Sequence, residues 1–423
     1  MRTSHGNSDL RLSCSDVLAA AVCGRGDTPC GRHDRVDCGV VHVVVLTPYF
    51  PPLVSGAGLH VADVAEGLQL AGHRVTVVMG HGEPGLSWYR GARVETVGSR
   101  VRGTTSLLMA IRTLAVHRRD PVDLVVGGLA HPAGFIGSLA ALLMRRPLAV
   151  IACGEEVSVG HTSRLARWCL WLTFKRSRAV AAISEFTRDE VIAMGGSPDR
   201  CSIVAPGIDA EPFVAPSAAD RSAVRERLGL DGRRVVLTVA RLEERKGHDV
   251  VLDAIRRVVA DHPDVHYLIV GMGDDARLRE LAHGWDINDR LTIIPHVASD
   301  ELPEIFAAAD IFAMTSRPGP EGEVEGFGIV YLEAAASELV CIAGSLGGCR
   351  DAVDHGVTGW CVDPTDPRAV AVVLKEILDD THAAKRMGQH GRARVLSSFT
   401  KAHLRTRIVD VLEGCVPARL RLG

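Results

Sequence analysis

Val40-Val41-His42-Val43-Val44-Val45-Leu46, then Ser55-Gly56-Ala57-Gly58, then Arg74-Val75-Thr76-Val77-Val78-Met79: these three runs decide the fold of the chain. The first is short, β-branched and apolar throughout, so it predicts a parallel strand buried on both faces. A loop is expected at 47–52. The glycines open a helical pattern through Val61, Val64, Ala65 and Leu68, Gly72 stops it, and the third run is the next strand. Strand, glycine loop, helix and strand make a βαβ unit. Runs at 122–126, 148–152, 179–183 and 202–205 continue the alternation. It pauses at Pro206-Gly207-Ile208-Asp209, passes a polar helix at 218–228, and restarts at 234–239, 265–270, 291–294, 311–314 and 340–343. Helical signals follow Pro367 to about Leu412. Two successive alternations predict an α/β protein of two facing, doubly wound Rossmann-like domains, with ligands in the cleft at the carboxyl ends of the strands. The expected divisions are 39–210, 211–390, and a C-terminal helix at 391–423 that packs back on the first domain.

The chain has 423 residues, enough for two domains at roughly 100–200 residues each. Hydrophobic residues make up 47% and charged residues 23%, so large cores are available. With 48 basic and 51 acidic side chains, the net charge of -3 argues against nucleic acid as a partner. Eleven cysteines without a C-x-x-C pair exclude a zinc ribbon or thioredoxin-type site. Cys153, Cys341 and Cys361 lie in apolar runs and read as small buried hydrophobes, which favours a reducing cytoplasm. Residues 17–23 are too short for a secretory core. No apolar run reaches the ~18 residues of a membrane span, because Arg145-Arg146 interrupts the best one. Residues 1–38 lack periodicity. Their Cys14, Cys23, Cys30 and Cys38 admit a regulatory or metal-binding tail, but a disordered extension is expected.

Three groups carry chemistry. Arg241 and Lys246 lie in Arg241-Leu242-Glu243-Glu244-Arg245-Lys246-Gly247, just after a strand. There a forked and a point cation can meet a diphosphate, although the loop alone also reads as a solvated charged turn. Glu325-Gly326-Phe327-Gly328-Ile329-Val330-Tyr331-Leu332-Glu333 sets two glycines before a helix, whose free amides and positive end can face an anion. Eight helical residues would set Glu325 and Glu333 about 12 Å apart, enough to separate a sugar from a ribose joined by a diphosphate. Gly56 and Gly58, and Gly271 with Gly273, follow strands in the same way, either as phosphate contacts or as tight turns. Asp274-Asp275 suggests a metal, but no further ligands lie near in sequence.

On these residues the chain resembles the family-four retaining glycosyltransferases of the GT-B fold. Phe50-Pro51-Pro52, Gly72-His73-Arg74-Val75, Pro206-Gly207-Ile208-Asp209, Val239-Ala240-Arg241 with Lys246-Gly247, Ile269-Val270-Gly271-Met272-Gly273, and Glu325 to Glu333 carry the resemblance, which covers about 40–400. The run from Ala308 to Glu333 is most similar to bacterial phosphatidylinositol mannoside mannosyltransferases. The resemblance implies a nucleotide-sugar donor, GDP-mannose before UDP-sugars, a lipid-linked or glycan acceptor, retention at the anomeric carbon, and no obligatory cofactor or metal. It assigns catalytic roles to Arg241 and Lys246 on the diphosphate and to Glu325 near the sugar. It assigns donor binding to Gly56, Gly58, Gly271, Phe327, Gly328, Ile329 and Val330, the ribose to Glu333, and the base to backbone at Pro295-His296-Val297.

The chain departs from the family at Ile151-Ala152-Cys153-Gly154-Glu155-Glu156, where Cys153 replaces a donor-orienting histidine and Glu155 a second one. His131 is a stand-in or a plain loop histidine. Ser55 replaces a glycine, and Ser337-Glu338-Leu339 replaces Gly-Val-Pro. These changes motivate the alternative reading, a weakly active or inactive nucleotide-sugar-binding protein. Arg164, Arg167, Trp168, Trp171, Lys175 and Arg178 recur at near-helical spacing, so 164–178 is either a cationic, tryptophan-bearing membrane face or an ordinary sheet-packed helix. The expected location is the cytoplasm, at the inner face of the cell membrane.

Overall fold

The computed structural model describes residues 39–51, 55–81, 86–97, 104–214, 217–320 and 322–416. The tail with its four cysteines, and the side chain of Glu155, lie outside the described residues.

The first half alternates as β1 (His42–Tyr49), α1 (Gly56–Leu70), β2 (Arg74–His81), the short β3 (Trp88–Tyr89) and β4 (Ala92–Thr96), α2 (Thr104–Arg119), β5 (Leu124–Gly127), α3 (Phe135–Met144), β6 (Leu148–Ala152), α4 (Glu155–Thr162), α5 (Arg164–Arg176), β7 (Ala179–Ala182), α6 (Glu185–Ala193) and β8 (Cys201–Ile203). Its sheet runs β3-β4-β2-β1-β5-β6-β7-β8. Every pairing is parallel except β3 with β4. Val43 to Leu46 are buried between β2 and β5, which accounts for their unbroken apolar run.

β1 continues to Tyr49, where a loop was expected. Beyond Leu46 it pairs only with β2, and a strand with one free edge tolerates Pro48. Ser55 caps α1, its hydroxyl accepting from Gly58 N–H at 3.0 Å. The φ of 90° at Gly72 turns the chain out of α1, a conformation that glycine supplies without steric cost.

The second half runs α7 (Ala218–Leu228), β9 (Arg234–Val239), α8 (His248–Val258), β10 (Val265–Val270), α9 (Ala276–Gly284), β11 (Leu291–Ile294), α10 (Leu302–Ala308), β12 (Ile311–Met314), α11 (Ile329–Ala336), β13 (Val340–Gly344), α12 (Cys349–Ala352) and β14 (Gly359–Val362). Its sheet is parallel throughout, in the order β11-β10-β9-β12-β13-β14. Leu237 of β9 pairs with Leu268 on one side and Phe312 on the other, all three fully buried.

Three helices close the chain: α13 (Pro367–Asp379), α14 (Thr381–Ser398) and α15 (Lys401–Glu413). α14 packs on α11 of the second sheet, whereas α15 crosses back to α1. The crossing is a short ladder, with Ile208 N–H donating to Phe399 O at 2.9 Å and Lys401 N–H to Ile208 O at 3.0 Å. A Cβ at Gly207 would stand 2.4 Å from Thr400 O, so only glycine lets the two connections lie this close. α15 buries Leu404, Ile408 and Leu412, and its Lys401 and Arg405 pair with Asp63 (3.0 Å) and Glu66 (2.9 Å) of α1. Among the described residues no helix is long and apolar enough to cross a membrane.

Candidate functional site

In each sheet the strand order reverses at one place, between β1 and β5 in the first and between β9 and β12 in the second. A ligand crevice forms where chains leave neighbouring strands in opposite directions, beyond the carboxyl ends. Gly56, Ala57 and His60 follow β1; Arg241, Arg245 and Lys246 follow β9; Glu325, Gly326, Phe327 and Gly328 follow β12. All of them line a single cavity of about 260 Å³, together with Cys153, Ile329 and Val330.

The turn after β9 and the segment after β12 are locked together. Arg317 N–H donates to Arg245 O at 2.8 Å. Gly247, at φ 75°, lies so near Thr315 that a Cβ would stand 2.3 Å from its carbonyl oxygen. This sets the Lys246 ammonium on Glu325 Oε2, with Arg245 3.7 Å and the Ser316 hydroxyl 3.3 Å from the same oxygen. Burial pushes the Glu325 carboxyl up, but the Lys246 charge and hydrogen bond, helped by Arg245 and Ser316, outweigh it and hold the carboxyl below its ordinary value. Arg241 is placed differently. Its side chain is 63% exposed and rests on Glu243 Oε1 at 2.7 Å, while Glu243 Oε2 takes Arg245 Nε at 2.9 Å. Lys246 is therefore a buried cation and Arg241 an exposed one, and both open on the same space.

The Glu325–Gly328 segment meets the first sheet just past the carboxyl ends of β6 and β7. A Cβ at Gly326 would lie 2.1 Å from Cys153 O, and one at Gly154 (φ 93°) would lie 2.8 Å from Gly326 Cα. Glycine at both positions lets the two halves meet backbone to backbone. Gly328, at φ 87°, starts α11 without a side-chain cap. Tyr331 N–H is taken by Gly328 O at 3.0 Å. The first-turn amides of Ile329 and Val330 have no acceptor among the described residues, so an open, positively polarised helix end lines the cavity.

One expectation needs revision, and the remaining candidate residues lie apart from the cavity lining. α11 begins at Ile329, so only the last four steps from Glu325 to Glu333 are helical and the 12 Å rise does not apply. Gly58 does not line the cavity, and its amide is engaged by Ser55. Gly271 gives its amide to Ile294 O at 3.0 Å, and a Cβ there would fall 1.9 Å from Ala240 O, so this glycine serves a crossing of the chain. Val297 is half-buried past the end of the edge strand β11, outside the cavity. Glu333 also lies beyond the lining, but its Oε2 is buried without a hydrogen-bond partner, and burial raises the carboxyl to about 7. His131 is absent from the lining. His60 was not singled out from sequence, because in a helix of mostly apolar small residues a histidine carries no signal by itself. Among the described residues no group of three or more His, Cys, Asp or Glu could hold a metal ion.

Two doubly wound domains whose switch points meet over paired cations and an open helix end define a GT-B glycosyltransferase. The "Glycosyl transferase 4-like domain" model matches residues 55–207 and the "Glycosyl transferases group 1" model matches 220–394. The chain is 31% identical over 386 residues to the GDP-mannose-dependent alpha-(1-6)-phosphatidylinositol monomannoside mannosyltransferase of Mycobacterium tuberculosis, covering 89% of this chain and 99% of the relative. The Mycolicibacterium smegmatis protein of the same name is 32% identical over 326 residues, 75% and 85% of the two chains. In fold, the Anabaena HepE protein in complex with UDP superposes with a TM-score of 0.76 at 22% identity, covering 89% of this chain and all of HepE. The chain belongs to the family-four glycosyltransferases and is a hexosyltransferase.

Proposed function

We propose that the protein is a retaining mannosyltransferase that moves mannose from GDP-mannose to a phosphatidylinositol mannoside-type acceptor held in a membrane. The likeness to two phosphatidylinositol monomannoside mannosyltransferases over most of their length supports the donor and acceptor class. The observation that carries the transfer chemistry is the convergence of Arg241, Lys246 and the α11 amides on one cavity.

In this reading Lys246 and the amides of Ile329 and Val330 bind the diphosphate, and Arg241 swings from Glu243 to join them. Charge grows on the diphosphate as the glycosidic bond breaks, so fixed cations and amides stabilise the transition state more than the ground state. Glu333, with one carboxyl oxygen unsatisfied, accepts from the ribose hydroxyls. Glu325, held charged and close to the cavity, steadies Lys246 and faces the sugar. Gly56 lets the start of α1 approach the donor from the first domain.

Contact with a membrane is supported by the exposed face of α5. Arg164, Arg167, Trp168, Trp171 and Lys175 are all exposed there, while Ala166, Cys169, Leu170 and Phe174 face inward. Exposed Leu139, Leu142 and Leu143 of the neighbouring α3 widen the apolar patch, and the Phe135 ring lies 6.2 Å from that of Trp168. Apolar side chains rimmed by cations suit an anionic headgroup layer. Cys153 on the cavity wall, in place of a histidine, is the observation that favours slow turnover.

The test incubates the protein with GDP-mannose or UDP-glucose and vesicles carrying phosphatidylinositol monomannoside. GDP release with an α-linked product is expected from GDP-mannose alone. A β-linked product removes retention, and nucleotide binding without any GDP release turns the reading into that of a binding protein.

A further inference from the structure

One polar side chain on the cavity wall has no part in the chemistry above. His60 stands on α1 just past Gly56-Ala57, is only 4% exposed, and has no hydrogen-bond partner on either ring nitrogen among the described residues. The other buried histidines are different. His42 meets Thr76 Oγ1 at 2.9 Å, His73 meets Glu413 at 3.1 Å, His248 meets Arg241 O at 3.0 Å, and His266 meets Thr292 Oγ1 at 2.9 Å. A buried imidazole lacking both partners is costly, and such a group in a cavity marks a place where a ligand supplies them.

The chemistry of that ligand follows from the ring. Burial lowers His60 to about 4, so it is neutral near pH 7, with one donor and one acceptor nitrogen. A neutral ring cannot compete for the diphosphate with Lys246 and Arg241. A hydroxyl, itself donor and acceptor, matches it on both counts. His60 is the sole imidazole among the residues lining the cavity.

We propose that His60 is a positioning residue that hydrogen-bonds a sugar or acceptor hydroxyl inside the cleft, from the side opposite the cations. This rests on the transferase reading above. The hydroxyl belongs either to the transferred hexose or to the attacking acceptor, and the two sources separate kinetically.

The test compares the full chain with His60→Phe and His60→Asn. Calorimetry gives the dissociation constants of GDP and GDP-mannose, and GDP release is followed without acceptor and with vesicle-borne acceptor. GDP affinity is expected to stay within about twofold in both variants. In His60→Phe the transfer kcat/KM should fall at least tenfold, with partial recovery in His60→Asn. A parallel fall in acceptor-free hydrolysis assigns the hydroxyl to the donor hexose. A fall in transfer alone, with a higher KM for the acceptor, assigns it to the acceptor. A merely structural histidine would move GDP affinity and melting temperature together and leave no recovery in His60→Asn, which overturns the proposal, as do wild-type rates in both variants. If His60→Phe does not fold, His60→Asn against wild type carries the same comparison. If wild type binds no nucleotide, the transferase reading fails instead.

Discussion

The Lys246 ammonium donates to Glu325 Oε2 across the gap between the ends of β9 and β12, joining the two strands that flank the switch point. Both side chains are mostly buried, at 12% and 15% exposure. Removing one partner leaves the other charge buried, which is costlier than the net worth of the pair. Lys246→Met should therefore lower melting stability by about 2 kcal/mol, with Arg245 supplying partial compensation, and lower transfer by at least ~100-fold. Because the folded Glu325 carboxyl lies below its unfolded value, its contribution is present above pH ~4.3 and is lost as pH falls through the folded value. Thermal melts between pH 3 and 8 should show a weaker acid dependence in Glu325→Gln. Wild-type transfer rates in Lys246→Met would remove the diphosphate assignment.

Glu333 has the opposite sign. Its folded carboxyl is raised to about 7 by burial, so the folded state holds its proton more tightly than the unfolded chain. Stability from this group is full below the unfolded value near pH 4.3 and falls as pH rises towards 7. Glu333→Gln should therefore be the more stable protein at pH 8, by on the order of 2 kcal/mol, with the gap closing near pH 5. The same change should weaken GDP binding, measured by calorimetry, at least tenfold. A variant that is less stable at pH 8 would contradict the unpaired carboxyl.

Gly326→Ala probes the contact between the domains. The new methyl would meet Cys153 O at 2.1 Å and could be accommodated only by moving two backbones. Activity should drop at least ~100-fold, because a displacement of about 1 Å of reacting groups costs that much. Full activity in Gly326→Ala would mean that the halves meet otherwise in the working enzyme.

Binding to anionic vesicles should fall at least fivefold in the Arg167→Ala, Trp171→Ala double variant and should weaken in both proteins as salt rises. Trp171 also rests on Gly195, where a Cβ would stand 2.6 Å from the indole ring, so a melting curve must accompany the vesicle assay. Equal binding by variant and wild type would end the membrane reading of α5.

Most parallel strands were readable because burial on both faces leaves an unbroken apolar signature, as in Val43–Val45 and Val235–Leu237. The β3–β4 hairpin and β14 were not, since two- to five-residue strands at or beside a sheet's edge carry too few positions for a period. That Arg241, Lys246 and Glu325 would gather at one crevice was legible from their place after strands. The employment of Gly58 and Gly271 was not, because a glycine that frees an amide for a ligand and one that lets two backbones cross look alike in sequence. His60 was invisible for the converse reason: its meaning lies in the partners it lacks.

α15, which follows every element of the second half, completes the packing around α1, which precedes them all. Until α15 is in place one flank of α1 stays bare, and Asp63 and Glu66 have Arg90 but lack Lys401 and Arg405. Vectorial synthesis therefore cannot finish packing the first half until the second has been made, and a nascent chain that stops ahead of Lys401 keeps every second-half element while leaving α1 uncovered.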